Sequence, residues 1–228
     1  MDEISAFLEL RRALAAHGLA LRGGFAFGPQ DIAPPGPGGA PAKSVVLVGH
    51  LGGGLWLHYS AWRARQTTDI DDPLDTWSRQ VIGPVAAQFG ARAVFPSDPP
   101  FMPFQQWAMR AESLRPSPLG ILMHPSAGLW HAYRAALLFD VDVLSHVPPQ
   151  KVSHACDACS AKPCLSTCPV NAFSASGFDV NGCRTHIRSK AGQRCRESGC
   201  MARNACPVGA EFRYTAEQQA FHQRAFLG

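Results

Sequence analysis

The chain has 228 residues, 46% of them hydrophobic, and a net charge of +4, enough for a sizeable core in one or two domains. No apolar run approaches the roughly 20 residues of a membrane-spanning helix. The acidic start, MDEISAFLEL, lacks the basic leader of a signal peptide, so a soluble cytoplasmic protein is expected.

The charge is unevenly placed. Residues 1–150 carry 11 Lys/Arg against 12 Asp/Glu, and residues 151–228 carry 10 against 5. The basic excess travels with the cysteines, where it can offset clustered thiolates. The cations are dispersed and lack interleaved aromatics, so nucleic acid is not the expected partner.

Residues 3–17 read as an amphipathic helix with Ile4, Phe7, Leu8 and Leu14 on one face, capped by Asp2 and ended by Gly18. Residues 19–27 read as a short strand or as a strand with a bulge at Gly23-Gly24. A breaker-rich loop, 33–42, precedes a buried strand at Ser44–Gly49. That strand runs into Gly52-Gly53-Gly54 and a helix bearing Trp56, Tyr59 and Trp62. Strand, glycine loop and helix can hold an anion on open amides, or the glycines can allow close backbone packing.

Asp72-Pro73 marks a helix start. Leu74, Trp77, Val81, Val85 and Phe89 form its apolar face up to Gly90. Ala91–Phe95 reads as a strand, 96–104 as a stiff loop and Gln105–Glu112 as a helix. Gly120–Met123 and Leu129–Phe139 read as two more strands, with a short helix as the alternative for the second. Strands and helices alternating over 155 residues imply an α+β or α/β sheet core. Residues 141–155 cross to the cysteine region, and a polar helix from Thr215 closes the chain, with Phe212, Phe221 and Phe226 free to dock. The domains expected are 1–150, 151–215 and a helical tail, 216–228.

All eight cysteines lie between Cys156 and Cys206. The first group, Cys156, Cys159, Cys164 and Cys168, is followed by Pro169. The second, Cys183, Cys195, Cys200 and Cys206, is followed by Pro207. Three thiolates on one tight loop can face three corners of an iron-sulfur cube, and the Cys-Pro turn sends the fourth ligand elsewhere. On that reasoning Cys156, Cys159, Cys164 and Cys206 would hold one [4Fe-4S] cluster. Cys183, Cys195, Cys200 and Cys168 would hold the other. Four disulfides, two zinc sites, or one cluster with four idle thiols are the alternatives.

The cysteine region resembles that of the epoxyqueuosine reductases and reductive dehalogenases. Both of its runs end in Cys-Pro, and Cys183 in NGCRTHIRS matches the isolated cysteine between them. Its gaps before Cys164, Cys200 and Cys206 are wider than the family's. The stretch ILMHPSAGLWHAYRAALLF resembles the vitamin B12-processing proteins through His124, Pro125, Gly128, Trp130 and Arg134. The resemblance implies a nitroreductase-like sheet core followed by a ferredoxin-like two-[4Fe-4S] domain. It also implies a corrinoid or flavin as further cofactor, contacted by His124, Gly128, Trp130 and Arg134; the loop Gly52, Gly53 and Gly54, from its strand–glycine–helix layout, is a further candidate contact. Asp98 and Asp140 are positional candidates for an acid.

The function expected is iron-sulfur electron transfer: an oxidoreductase or electron-transport protein feeding a corrinoid held by itself or by a redox partner protein. A non-catalytic ferredoxin-like carrier and a flavin-dependent reductase are the alternatives.

Overall fold

The structure, a computed structural model, describes residues 3–144, 152–174 and 177–228. The chain divides into two compact units. The first is Met1–Ser113 with Ala132–Lys151, and the second is Leu114–His131 with Val152–Gly228. The cap expected at Asp2 and residues 145–151 of the crossing segment lie outside the described residues, as does the side chain of Ile4.

In the first unit, α1 (Glu3–Ala15) leads through Gly18 into β1 (Ala20–Ala26) and β2 (Ser44–Leu51). β1 and β2 are antiparallel, with Ala20 opposite Gly49, Ala26 opposite Ser44 and a bulge between Leu21 and Gly24. Gly24 is required there, because a Cβ would stand 2.3 Å from the Val45 carbonyl oxygen. Val45, Val46, Leu47 and Val48 are all buried. That run without polar alternation makes β2 an interior strand, and each such side chain contributes about 1.5–3 kcal/mol by leaving water.

The helices α2 (Trp56–Arg63) and α3 (Pro73–Gln88), the strand β3 (Arg92–Val94) and the helix α4 (Phe104–Glu112) follow. α3 begins at Pro73, but Asp72 makes no side-chain cap: its backbone is left-handed, φ 45°. Asp72 instead offers its carbonyl oxygen to the amides of Asp75 and Thr76, both at 3.0 Å. The buried face of α3 is Leu74, Trp77, Ser78, Ile82 and Ala86. It is rotated from the expected face, since Ile82 enters the core where Val81 and Val85 were expected. Two short strands, β4 (Arg115–Pro116) and β5 (Leu122–Met123), precede the long β6 (His131–Phe139). The main sheet has the order β1-β2-β6-β3, and β3 is antiparallel to β6.

A buried strut ties α4 to this sheet. Arg22 sends two guanidinium nitrogens to the Glu112 carboxylate at 3.0 and 2.9 Å and a third to the His50 carbonyl oxygen at 3.2 Å. Tyr133 donates its hydroxyl to the same carboxylate, and Arg22 lies 4.9 Å from the Tyr133 ring centre. Burial raises the Tyr133 pKa, keeping the phenol a donor.

The second unit holds β4 and β5, which pair with each other, and then short elements. These are α5 (Pro163–Ser166), β7 (Phe173–Ser174), β8 (Gly177–Phe178), α6 (Val180–Arg188), α7 (Gln193–Ser198), α8 (Met201–Asn204), a 3-10 turn at Ala210–Phe212 and α9 (Ala216–Leu227). Asp179 caps α6, accepting the Gly182 amide at 2.9 Å. Thr215 caps α9 through the Gln218 amide.

Two glycines hold the early segment against the late one. A Cβ on Gly128 would lie 2.0 Å from the Val208 carbonyl oxygen, and one on Gly209 would lie 2.3 Å from the Ala127 carbonyl carbon. Both have positive φ, 57° and 68°.

The architecture is α+β, with a nitroreductase-like arrangement of the sheet. The ferredoxin-like two-[4Fe-4S] domain expected after it is corrected: among the described residues, no group of three or more His, Cys, Asp or Glu side chains could hold a metal ion. None of the described helices is long and apolar enough to cross a membrane.

Candidate functional site

The second unit concentrates the reactive side chains. β5 runs into a tight turn closed by reciprocal backbone bonds between His124 and Gly128, at 2.9 and 3.0 Å. The turn aims two amides at one ring nitrogen: Ser126 and Ala127 donate to His124 Nδ1 at 3.2 and 3.0 Å. Nδ1 therefore keeps its lone pair, and neutral His124 carries its proton on Nε2. His131, with its ring centre 5.5 Å away, donates from Nε2 to the Leu122 carbonyl oxygen at 2.8 Å.

Trp130 is fully buried. Arg203 stacks on it at 4.4 Å and donates to the Leu129 carbonyl oxygen at 2.6 Å, while Tyr214 meets it edge-on at 5.3 Å.

The cysteines line two open recesses. One has Cys168, Cys183, Cys195 and Cys200 in its walls, with Val170, Phe173, Ile187 and Met201 between them. The other has Cys156, Cys159, Cys164 and Cys206, with Met123, Leu129 and Val208. All eight stand as free thiols.

Backbone amides point at several of them. Ala172 N–H reaches Cys168 Sγ at 3.3 Å, the amides of Ala202 and Arg203 act on Cys200, and that of Met201 acts on Cys195. At Cys195 and Cys200 these donors favour thiolate, but burial disfavours it more. Burial, then the neighbouring thiols Cys200, Cys168 and Cys195, pushes the Cys183 thiol up to about 11. Burial is likewise the first cause of the upward shifts at Cys156, Cys164, Cys195 and Cys200.

This geometry corrects the expected cofactors. The thiols ring the walls of each recess, and among the described residues no three His, Cys, Asp or Glu side chains form a group that could hold a metal ion. On that finding the two [4Fe-4S] clusters are not carried forward. The iron-sulfur and metal-binding description, the oxidoreductase and electron-transport role built on it, and the two-cluster domain of the epoxyqueuosine reductase and reductive dehalogenase resemblance go with them.

The other expected residues fall in both units. Gly52, Gly53 and Gly54 form the turn before α2 in the first unit, where the missing Cβ of Gly54 lies 3.0 Å from the Gly18 carbonyl oxygen. His50, just before that turn, donates from Nδ1 to the Gly52 carbonyl oxygen at 2.7 Å. Arg134, also in the first unit, pairs with Asp75 at 3.4 Å. Asp98 pairs with Arg79, and Asp140 accepts the Gly38 amide at 2.8 Å. His124, Gly128 and Trp130 belong to the second unit.

The apolar recess walls from Met123 and Leu129 escaped the sequence reading. Their only signal there is apolar character, and they stand more than 25 residues before the first cysteine.

No protein-family model and no curated protein matches this sequence. The likeness is to solved structures, and it shows the fold. The crystal structure of a Caenorhabditis elegans B12-trafficking protein, CblC, a homologue of human MMACHC, superposes with a TM-score of 0.57. It is 12% identical and covers 98% of this chain and 93% of its own. An epoxyqueuosine reductase from Bacillus subtilis superposes with a TM-score of 0.50 at 12% identity, covering 96% of this chain and 69% of its own.

Proposed function

We propose that this protein binds and handles a corrinoid. The observation that carries the reading is the fold: its likeness to a B12-trafficking protein runs through nearly the whole length of both chains. The turn at His124 supports it. Two amides fix the His124 tautomer and leave Nε2 as the proton-bearing nitrogen, suited to donate to a propionamide carbonyl or the nucleotide phosphate of a corrinoid. Corrinoid side chains are rich in such acceptors, and a preset donor loses little entropy on binding.

The test is titration of the purified full-length protein with hydroxocobalamin and, without oxygen, with cob(II)alamin, followed by absorption spectra and calorimetry. One saturable equivalent with a shifted corrinoid spectrum is expected. His124→Ala should weaken binding about tenfold, as loss of one ligand hydrogen bond does. No saturable binding of either form up to about 100 μM, where a specific small-molecule site is normally filled, refutes the proposal.

A further inference from the structure

In the second unit an apolar strip runs outward from the recess of Cys168, Cys183, Cys195 and Cys200. Val170 and Phe173 belong to that recess wall. Phe173 stacks flat on Phe178, with centres 4.8 Å apart and planes 8° from parallel, and Phe178 lies 6.1 Å from Phe226. Val170, Phe178 and Val180 remain 40, 41 and 37% exposed, an unusual share for large apolar side chains beside a chemically distinctive recess.

Cations border this strip. Arg184 stacks on Phe226 at 5.0 Å and donates to its carbonyl oxygen at 3.0 Å. Arg188, one turn further along α6, donates to the Leu227 carbonyl oxygen at 2.9 Å. Arg224 is exposed on α9, next to the recess residue Gln223. Residues 114–131 and 152–228 together carry 10 Lys/Arg against 5 Asp/Glu. Ion pairs of this unit include those of Asp157 with Arg115 and His154. Arg184 and Arg188 are held by carbonyl dipoles. Their heads are fixed while their charge and most of their five donors stay available.

We infer that this strip docks a protein partner whose contact surface is acidic around a small apolar centre. An apolar centre with an arginine-rich rim is the composition of a specific protein interface, and uncompensated charge steers an oppositely charged partner. Nucleic acid fits less well. The Phe173 and Phe178 rings already stack on each other, so no row of open aromatic faces is prepared for base stacking. The docked partner would cover the mouth of the four-thiol recess.

The test places a photo-crosslinking phenylalanine derivative at position 178 of the full chain, expressed in its native cells. A matched probe sits at Ile32, which is 98% exposed in the first unit. The expected result is a protein adduct specific to position 178, with the cross-link mapping to an acid-flanked segment. The recombinant partner should then bind this chain. Its Kd should rise about tenfold or more between about 50 and 300 mM salt, and by a similar factor in Arg188→Glu/Arg224→Glu. Five outcomes overturn the inference: no adduct, an adduct shared with position 32, an adduct to RNA or DNA, an adduct to a second copy of this chain, or a partner whose affinity ignores salt and the charge reversal. Circular dichroism of the charge-reversal variant confirms that it folds.

Discussion

Glu112→Leu should be among the most damaging single substitutions in the first unit. Arg22 is 2% exposed and Glu112 16% exposed at the side chain. Removing the carboxylate strands a buried guanidinium that keeps the His50 carbonyl at 3.2 Å and the Tyr133 hydroxyl at 3.5 Å as acceptors, and it takes the acceptor from the Tyr133 hydroxyl. Breaking a buried pair by deleting one partner costs about 3–5 kcal/mol. The surviving Arg22–His50 bond places this case near the lower end, about 3 kcal/mol. For a chain of this size that lowers Tm by about 6–12 °C. The double variant Arg22→Met/Glu112→Leu removes both charges and keeps the volume, so it should be no worse than the single, and about 1–3 kcal/mol better. Urea denaturation followed by tryptophan fluorescence reads all three proteins. A single variant losing less than about 1 kcal/mol, or a double variant less stable than the single, refutes the strut as an interdependent charge pair.

Gly128→Ala should destabilise the second unit by about 2–4 kcal/mol, because it adds a Cβ at positive φ against the Val208 carbonyl; thermal unfolding checks this. Asp179→Ala should cost about 1 kcal/mol through loss of the α6 cap, read in the same assay. The Cys183 thiol, held neutral in the fold, should still gain alkylation rate as pH rises from about 10 toward about 11, where an ordinary thiol has levelled off. The sign for stability follows from the same shift. Its folded-state pKa is raised, so its contribution is intact below pH 9 and is lost as pH rises toward 11. Mass spectrometry of iodoacetamide-treated protein measures the rate. A plateau by about pH 10 contradicts it.

The sequence was most readable where local chemistry decides structure. The Gly23-Gly24 pair marked a bulge because only glycine tolerates the Val45 carbonyl so near. The run from Val45 to Val48 marked an interior strand because nothing polar interrupts it. Periodicity was less reliable on α3, where the core admits Ile82 and Ala86; several faces of that helix carry apolar residues, so tertiary packing chose the rotation. Arg22, Glu112 and Tyr133 gave no local signal, standing 90 and 21 residues apart along the chain. The cysteine spacing suggested cluster ligation, yet spacing carries no information on whether thiols converge on an ion or spread along a wall.

Gly128 and Gly209 bear on how such a protein can be cut and recombined. Each backbone occupies the space where the other's side chain would stand, and between them lie 80 residues of chain, part of which belongs to the first unit. The cysteine-bearing half is therefore not a cassette. A fragment beginning at residue 152 would leave behind Leu119, Met123 and Leu129, which are core partners of Cys164, Ala202 and Cys206. The second unit's packing is complete only once the chain has passed residue 209, and a graft of the eight thiols onto another protein must carry the turn at Gly128 with it.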